Sequence, residues 1–165
     1  MTVGRGEVLL HLLRHAHAGD PGRWSGHDDA RPLSERGVGQ AQALAELLAV
    51  RGILPDAIVT SPRERALRTA LIVGERLGVA VVTERALAGE PGLAELAAVV
   101  TAQGGRAPML VGHDPWISAA VCDLVGSDGL ALRKGALASI TTAATLRPGR
   151  GILRLLLPPD LAGPG

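Results

Sequence analysis

Short apolar runs of strand length alternate along this chain with longer segments of helical periodicity. Strands are predicted at residues 8–13, at "DAIVT" before Pro62, at "VAVVT" and at "APMLVG", and helices are predicted from Ser34 to Gly52 and over 63–78, 92–102 and 115–124. Strands that alternate with helices form βαβ units, which build a parallel sheet with helices on both faces. The sequence therefore predicts an α/β fold, a three-layer α/β/α sandwich with a mostly parallel sheet.

The C-terminal part has a different pattern. The apolar runs "GALASITTAATL" and "GILRLLLP" lie on either side of the turn sequence "RPGRG", which predicts a C-terminal β-hairpin. The length of 165 residues suits one domain with its own core. We predict a single domain over residues 1–165, with a frayed tail at 158–165.

The charge balance and the apolar pattern exclude several classes of partner. Seventeen basic and sixteen acidic side chains give a net charge of +1, which argues against a nucleic-acid partner. No apolar run approaches the roughly 18 residues of a membrane span, and no signal-peptide cleavage site follows the N-terminal run. The single cysteine, Cys122, excludes an internal disulfide framework. We expect a cytoplasmic protein without a membrane partner; its oligomeric state stays open.

Basic side chains follow the predicted strands where these end. Arg14 and His15 follow the first strand, Arg65 lies in the first helical turn after the second, and His113 follows "MLVG". The carboxyl ends of parallel strands meet at one edge of a sheet, where ligands bind. Guanidinium groups match phosphate oxygens, and a neutral imidazole can attack phosphorus without a separate base. The sequence thus predicts a phosphate pocket with a histidine nucleophile.

Four motifs extend this interpretation. "LLRHAHA", "RPLSERGVGQAQALAELL", "VTSPRERALRTALIV" and "MLVGHDP" occur in this order over nearly the whole chain. Together they resemble the histidine phosphatase superfamily, in its phosphoglycerate mutase-like branch. The short chain, the "RPL" before the first helix and "KGALASI" near the end are most similar to the SixA type, the protein phosphohistidine phosphatases.

This resemblance implies a role for each matching residue. His15 would be the nucleophile that forms a phosphohistidine intermediate, and Arg14 and Arg65 would bind the phosphate. His113 would hydrogen-bond the transferring group, and Arg31 would join the phosphate site as in the SixA type. The implied reaction needs no metal and no cofactor.

The chain departs from the family pattern in two places. Ala16 replaces the glycine of the signature and adds a methyl group beside the nucleophile. Larger family members carry a glutamate that protonates the leaving oxygen, and here Glu90 is the first choice, with Glu84, His17 or no acid as alternatives. When the substrate is a phosphohistidine, the leaving group is an imidazole, which needs a strong acid less than an alkoxide leaving group does.

The resemblance implies a metal-independent phosphatase that acts on phosphohistidine in a partner protein. A small-molecule phosphomonoesterase of the same superfamily, acting on a phosphorylated metabolite, is the main alternative, and mutase activity is less favoured because it needs a closed pocket. A non-catalytic module that binds phosphate or a phosphoprotein is a third possibility. A metal site on His15 and His17 with His113 or Asp114 is disfavoured, since two arginines would repel a cation.

Several polar and aromatic residues have simpler interpretations. His11 is expected to be structural, Asp114 to cap the helix at Pro115, and Arg63 to be solvated. Residues 27–29 are expected to form a polar loop, with contact to the substrate as the alternative. Trp24 is placed at the mouth of the pocket and Trp116 in the packing.

Overall fold

The predicted alternation of strands and helices is present in the computed structural model, which describes residue 4 and residues 6–161. The strands within these residues are β1 (Glu7–Arg14), β2 (Ala57–Thr60), β3 (Val81–Thr83), β4 (Pro108–Gly112), β5 (Leu137–Ala143) and β6 (Ile152–Leu157). The helices are α1 (Glu35–Val50), α2 (Glu64–Leu77), α3 (Leu93–Gln103) and α4 (Trp116–Val125). Each predicted element is found, with boundaries shifted by a few residues.

The strands form one sheet with the order β3-β2-β4-β1-β5-β6. β1 pairs in parallel with β4, and β2 pairs in parallel with β3 and β4. β5 runs antiparallel to both of its neighbours, β1 and β6. The mostly parallel sheet and the C-terminal β-hairpin are therefore confirmed.

The two faces of the sheet are buried under separate pairs of helices. Leu10 and Leu12 of β1 pack in one core cluster with side chains of α3 and α4. Leu13 packs in a second cluster with side chains of α1 and α2. Each fully buried leucine stabilises the fold by about 1.5–3 kcal/mol. This alternation along β1 confirms the three-layer sandwich.

The order of the strands determines where polar side chains meet. β2, β4 and β1 are adjacent and parallel, so their carboxyl ends lie side by side at one edge of the sheet. His11, inside β1, is buried, and its Nδ1 lies 2.8 Å from Ser139 Oγ on β5. It has the structural position expected of it, whereas His15 emerges beyond the end of β1.

The ends of the helices follow the sequence signals. Ser34 caps α1, its Oγ accepting from the backbone N–H of Gly37 at 3.2 Å. α2 ends at Gly78, which has a φ of 68°, a left-handed conformation that favours glycine.

Pro159–Leu161 form a 3₁₀ turn, and residues 162–165 of the tail predicted to fray lie outside the described residues. Within the part of the chain that the structure describes, no helix is long and apolar enough to cross a membrane.

Gly37 allows α1 to approach the segment that follows β1. A Cβ on Gly37 would lie 1.9 Å from the carbonyl oxygen of His17, whereas a Cβ on Gly39 meets nothing within 4 Å. We expect Gly37→Ala to lower the free energy of unfolding by about 3 kcal/mol, because the backbone must shift to relieve the overlap. Gly39→Ala on the same helix should raise it by about 0.5–1 kcal/mol. Urea denaturation of both variants measures this, and equal effects would contradict the close approach.

Candidate active site

The basic residues predicted from the sequence meet at the carboxyl ends of β1, β2 and β4. His15, Arg65 and His113 are buried there, and the ring centroids of the two histidines lie 5.1 Å apart. Arg14 ends β1 and is partly buried, and Arg31 is buried under the loop after β1. The sheet supplies His15 and His113, and the first turn of α2 supplies Arg65, so the pocket is built on rigid elements.

Two hydrogen bonds determine the tautomer of His15. Its Nδ1 lies 2.7 Å from the carbonyl oxygen of Ala16, which can only accept, so Nδ1 carries a proton. The Nε of Arg65 donates to His15 Nε2 at 3.3 Å. Because Arg65 can only donate, Nε2 presents its lone pair. His15 is therefore a neutral imidazole whose free electron pair faces a guanidinium group.

The surroundings of His15 keep it neutral. Its pKa is lowered from 6.5 to about 3, mainly by burial; the Ala16 carbonyl acts in the opposite direction, and the positive charges of Arg65, Arg14 and Lys134 contribute to the lowering. A protonated imidazole has no lone pair on Nε2. The pocket thus preserves the nucleophilic form of His15 throughout the physiological pH range.

His113 lies opposite His15 and has one nitrogen free. Its Nε2 is 2.8 Å from Ser61 Oγ, which itself accepts from the backbone N–H of Arg63. Ser61 can donate its hydroxyl proton to Nε2, and in that tautomer the ring proton of His113 lies on Nδ1. That Nδ1 is buried and has no hydrogen-bond partner among the described residues. Burial, followed by the neighbouring His15 and arginines, lowers the His113 pKa to about 3.

The carboxylate of Asp28 binds both Arg65 and Arg31. Its Oδ2 accepts from Arg65 Nη2 at 3.0 Å and its Oδ1 accepts from Arg31 Nε at 2.9 Å. The hydrogen bond from Arg31 is the main reason that the Asp28 pKa lies below its usual value. Asp28 was expected only as part of a polar loop. Its position three residues before Arg31 is the signal that could have identified the pair.

Arg14 is held in place by a carboxylate and a carbonyl. Its Nη1 lies 2.6 Å from Asp114 Oδ2 and donates to the Leu132 carbonyl oxygen at 2.6 Å. The prediction that Asp114 caps α4 is therefore wrong: Pro115 occupies the N-cap position, without a side-chain cap. The competing ion pair with Arg14 draws the carboxylate toward the pocket. Arg14 Nε is buried and finds no hydrogen-bond partner among the residues that the structure describes.

The backbone beside the nucleophile is held from α2. Ala16 is fully buried, and its N–H donates to Thr69 Oγ1 at 3.1 Å. Thr69 Oγ1 in turn donates to the carbonyl oxygen of Arg65 at 2.7 Å. The methyl group of Ala16 packs beside Ala41 and Ile72, so α1 and α2 accommodate the residue that replaces the family glycine. Thr69 was not singled out in the sequence, although its spacing of four from Arg65 places both on one helix face.

None of the three predicted acids contacts His15. Glu90 is exposed and lines a groove with Pro115 and Trp116. Glu84 Oε1 accepts from the backbone N–H of Ala86 at 3.1 Å, and His17 Nδ1 lies 2.8 Å from Ser34 Oγ. No hydrogen bond or ion pair within residues 4 and 6–161 joins any of these side chains to His15. The choice of Glu90 as acid stays a prediction.

Other expectations near the pocket have mixed outcomes. Arg63 is not simply solvated: its side chain is 31% exposed and its Nε lies 2.9 Å from Asp29 Oδ1, because it precedes α2 instead of lying within it. Trp24 lines an open cavity of about 540 Å³ together with Arg31. Trp116 is buried in the core, as expected. In the described part of the chain no group of three histidine, cysteine or acidic side chains is placed to hold a metal ion.

The buried histidines predict a loss of stability in weak acid. His11, His15 and His113 have pKa values of about 4, 3 and 3, each lowered mainly by burial from 6.5. The unfolded chain takes up these protons as the pH falls below 6.5 and the folded chain does not. The free energy of unfolding should therefore fall by up to about 1.4 kcal/mol per pH unit for each histidine.

Urea denaturation at pH 7.5, 6.5, 5.5 and 5.0 measures this slope. A folded His11→Gln variant should show about two thirds of it, because one of the three histidines is gone. A constant stability between pH 6.5 and 5.0 would mean that these histidines titrate normally in the folded state.

Comparisons of sequence match part of the chain, including His15 and Arg65, to a known family. Residues 10–89 match the family profile of the histidine phosphatase superfamily (branch 1). Over 78 residues the chain is 41% identical to a 2,3-bisphosphoglycerate-dependent phosphoglycerate mutase of Leifsonia xyli subsp. xyli. This match covers 44% of the chain and 31% of the mutase. The chain therefore spans less than a third of the length of this relative.

Comparisons of structure cover nearly the whole chain. The structure of the protein histidine phosphatase SixA complexed with tungstate superposes with a TM-score of 0.82 at 21% identity, over 94% of this chain and all of the other. A candidate phosphohistidine phosphatase SixA from Nakamurella multipartitia has a TM-score of 0.73 at 29% identity, covering 92% of this chain and 95% of its own. Residues 10–89, which include β1, α1 and α2, therefore carry the sequence profile of the histidine phosphatase superfamily, and the chain shares the fold of the SixA structures.

Proposed function

We propose that this protein is a phosphatase that transfers a phosphoryl group to His15 and then to water. One observation carries the proposal: the unprotonated Nε2 of His15, bonded to Arg65, lies near Arg14 and His113, whose buried Nε and Nδ1 have no partner within the described residues. Buried polar groups are rarely left unpaired, and each such group calls for an explanation. A phosphoryl group bound between these residues would satisfy both donors.

In the first step, His15 Nε2 attacks phosphorus and the bond from phosphorus to the leaving group breaks. The leaving nitrogen or oxygen takes a proton from solvent, and His15 acquires positive charge. The Ala16 carbonyl, which accepts from Nδ1 at 2.7 Å, stabilises that charge. Arg14, Arg65 and His113 would bind the equatorial oxygens, whose negative charge they stabilise in the transition state.

In the second step, water attacks the phosphorus of phosphorylated His15. The P–N bond breaks, its electron pair returns to Nε2, and inorganic phosphate leaves. The water proton goes to phosphate or solvent. Burial and the neighbouring cations, which hold the pKa of His15 at about 3, make neutral imidazole a good leaving group here. Neither a metal ion nor a cofactor enters these steps.

The proposed substrate is phosphohistidine on a partner protein in the cytoplasm. Two points support this choice. Glu84 and Glu90 have no contact with His15 among the described residues, which suits a leaving group that needs no strong acid. The superposed structures include proteins named as phosphohistidine phosphatases of the SixA type.

A small-molecule phosphomonoesterase is the second candidate. The sequence match to a phosphoglycerate mutase favours it, because that relative's name specifies a small phosphorylated metabolite. In this case His15, Arg14, Arg65 and His113 would keep the same roles. Arg31 would contact the phosphate once its hydrogen bond to Asp28 is exchanged for one to the ligand.

The test compares three substrates in the presence of a chelator: a phosphohistidine-bearing protein, 3-phosphoglycerate and p-nitrophenyl phosphate. The proposal predicts hydrolysis of the phosphohistidine protein and of p-nitrophenyl phosphate, with the highest kcat/KM for the phosphohistidine protein. A higher kcat/KM for 3-phosphoglycerate would favour the small-molecule alternative. Tight phosphate binding without any turnover would show a non-catalytic module, and activity abolished by the chelator would contradict a metal-independent mechanism.

A further inference from the structure

A basic cleft lies beside the candidate active site, and of its lining residues only Arg14 has a role in the mechanism above. Its volume is about 250 Å³. The cleft is lined by Arg14, His17, Arg36, Gln40, Arg133, Lys134 and Pro159. Four of these side chains are cations and none is a carboxylate, so the cleft is suited to an anion.

The charges in the basic cleft are only partly neutralised. Arg133 Nη1 lies 2.6 Å from Asp160 Oδ2, and Arg14 is paired with Asp114. The side chains of Lys134 and Arg36 make no hydrogen bond and no ion pair with the residues that the structure describes. Burial lowers the pKa of Lys134, and the nearby Arg14, Arg31 and Arg65 lower it further. The repulsion between these cations would be relieved by a bound anion.

The basic cleft is joined to the catalytic pocket through the backbone. The N–H of Gly135 donates to the carbonyl oxygens of both Arg14 and His15, at 3.1 and 3.0 Å. Lys134 is thereby held next to the nucleophile, and its charge contributes to the lowered pKa of His15. An anion in the cleft would be a near neighbour of a phosphoryl group on His15.

The cleft extends from Arg14, which it shares with the catalytic pocket, to side chains at the surface. Arg14 is 21% exposed at its side chain, whereas Arg133 is 65% exposed, and Arg36 is exposed at the start of α1. A ligand that contacts the whole cleft must extend from the buried phosphate pocket into solvent. A peptide segment of a protein is long enough to do so, whereas a small phosphorylated metabolite can bind in the phosphate pocket without contacting the whole cleft.

We propose that the basic cleft binds an acidic side chain of the substrate protein, located within a few residues of its phosphohistidine. This inference rests on the proposed function and specifies its substrate further. Arg36 and Lys134 would contact the carboxylate, and Arg133 would contribute at the rim. Arginine pairs well with carboxylates, and partly exposed charge pairs are screened by salt.

Two sets of phosphohistidine peptides test this proposal. The peptides are identical except for glutamate or glutamine at each of the three positions on either side of the phosphohistidine. At low salt the wild-type protein should show a KM about 10-fold lower for at least one glutamate peptide than for its glutamine partner, with similar kcat. The preference should shrink in 0.5 M salt, since the Debye length falls to roughly 4 Å.

The variant Arg36→Gln/Lys134→Gln should lose this preference, with equal KM values for both peptides. Arg51→Gln, at the other end of α1, should retain it. Equal KM values for every peptide pair with the wild-type protein would overturn the inference. A preference that survives in the double variant would also overturn it, because the recognition would then lie elsewhere.

p-Nitrophenyl phosphate separates this inference from the proposed function. Its hydrolysis needs the catalytic pocket but presents no second anionic group. Turnover of this compound and of both kinds of peptide, without a preference, leaves the phosphatase proposal standing and removes the role of the cleft. Turnover of p-nitrophenyl phosphate without turnover of any peptide contradicts the protein substrate and the cleft proposal with it.

Discussion

His15→Asn is expected to reduce the turnover of every substrate by about 10⁴-fold or more, because it removes the nucleophile. Asparagine has no imidazole lone pair to place where Nε2 lies, 3.3 Å from Arg65 Nε. The change should affect kcat far more than phosphate binding, since the arginines stay in place. Steady-state kinetics with p-nitrophenyl phosphate and with a phosphohistidine protein measure the loss.

His27→Asn is the matched control, because the side chain of His27 is 80% exposed. It should keep at least half of the wild-type kcat. Circular dichroism and urea denaturation establish that both variants are folded. A folded His15→Asn protein with more than a tenth of the wild-type kcat would show that another group attacks the substrate.

Arg65→Ala is expected to lower kcat/KM by about 10²–10³-fold, the range seen when one charge-stabilising donor is lost. Arg65 is buried and contacts both His15 Nε2 and the carboxylate of Asp28. Arg65→Lys should recover only a small part of the loss, because an ammonium group cannot make the same paired contacts. Measurement of kcat/KM for the three proteins gives the comparison.

In Arg65→Ala the Asp28 carboxylate keeps Arg31 but loses Arg65 as a partner, and its less compensated charge is a second source of lost activity. Combining this change with Asp28→Asn removes that charge, and the double variant should stay at least 100-fold less active than wild type, in line with loss of the donor itself. Arg76→Ala is the matched control on α2, since Arg76 forms a surface ion pair with Glu46. It should leave kcat/KM within twofold of wild type. Full recovery in the double variant would restrict Arg65 to the role of neutralising Asp28.

The fold could be predicted because its signals are local. The alternation of buried leucines in β1 and the helical spacing of α1 and α2 are visible in a single sequence, and the layers follow from them. The order of the strands could not be predicted in this way. It depends on which strands pair across the chain, such as β1 with β4, and no local pattern carries that information.

The site was predictable where a side chain follows a strand directly. His15 and His113 lie just beyond β1 and β4, so the sheet determines their positions. Asp114 was misassigned because a cap and an ion pair with Arg14 compete for the same carboxylate, and only the tertiary structure brings Arg14 within 2.6 Å. The link from Asp28 to Arg65 has the same origin, since 37 residues separate its partners.

The basic cleft was invisible in the sequence for a related reason. Arg36 comes from the start of α1, and Arg133 and Lys134 come from the segment before β5. Each is an ordinary basic residue in its own local context. They form a possible anion site only because β5 lies next to β1 and the segment before it contacts the backbone of His15.

The central claim is that phosphate passes through His15 Nε2, and chemical mapping of a trapped intermediate tests it most directly. The protein is mixed with excess phosphorylated substrate, quenched in alkali within milliseconds, digested and analysed by mass spectrometry. We expect one phosphorylated site, on His15, bound at Nε2, stable in alkali and lost in acid, and absent from His15→Asn. Phosphate on a different residue, or rapid turnover with no phosphorylated protein at any quench time, would contradict the mechanism.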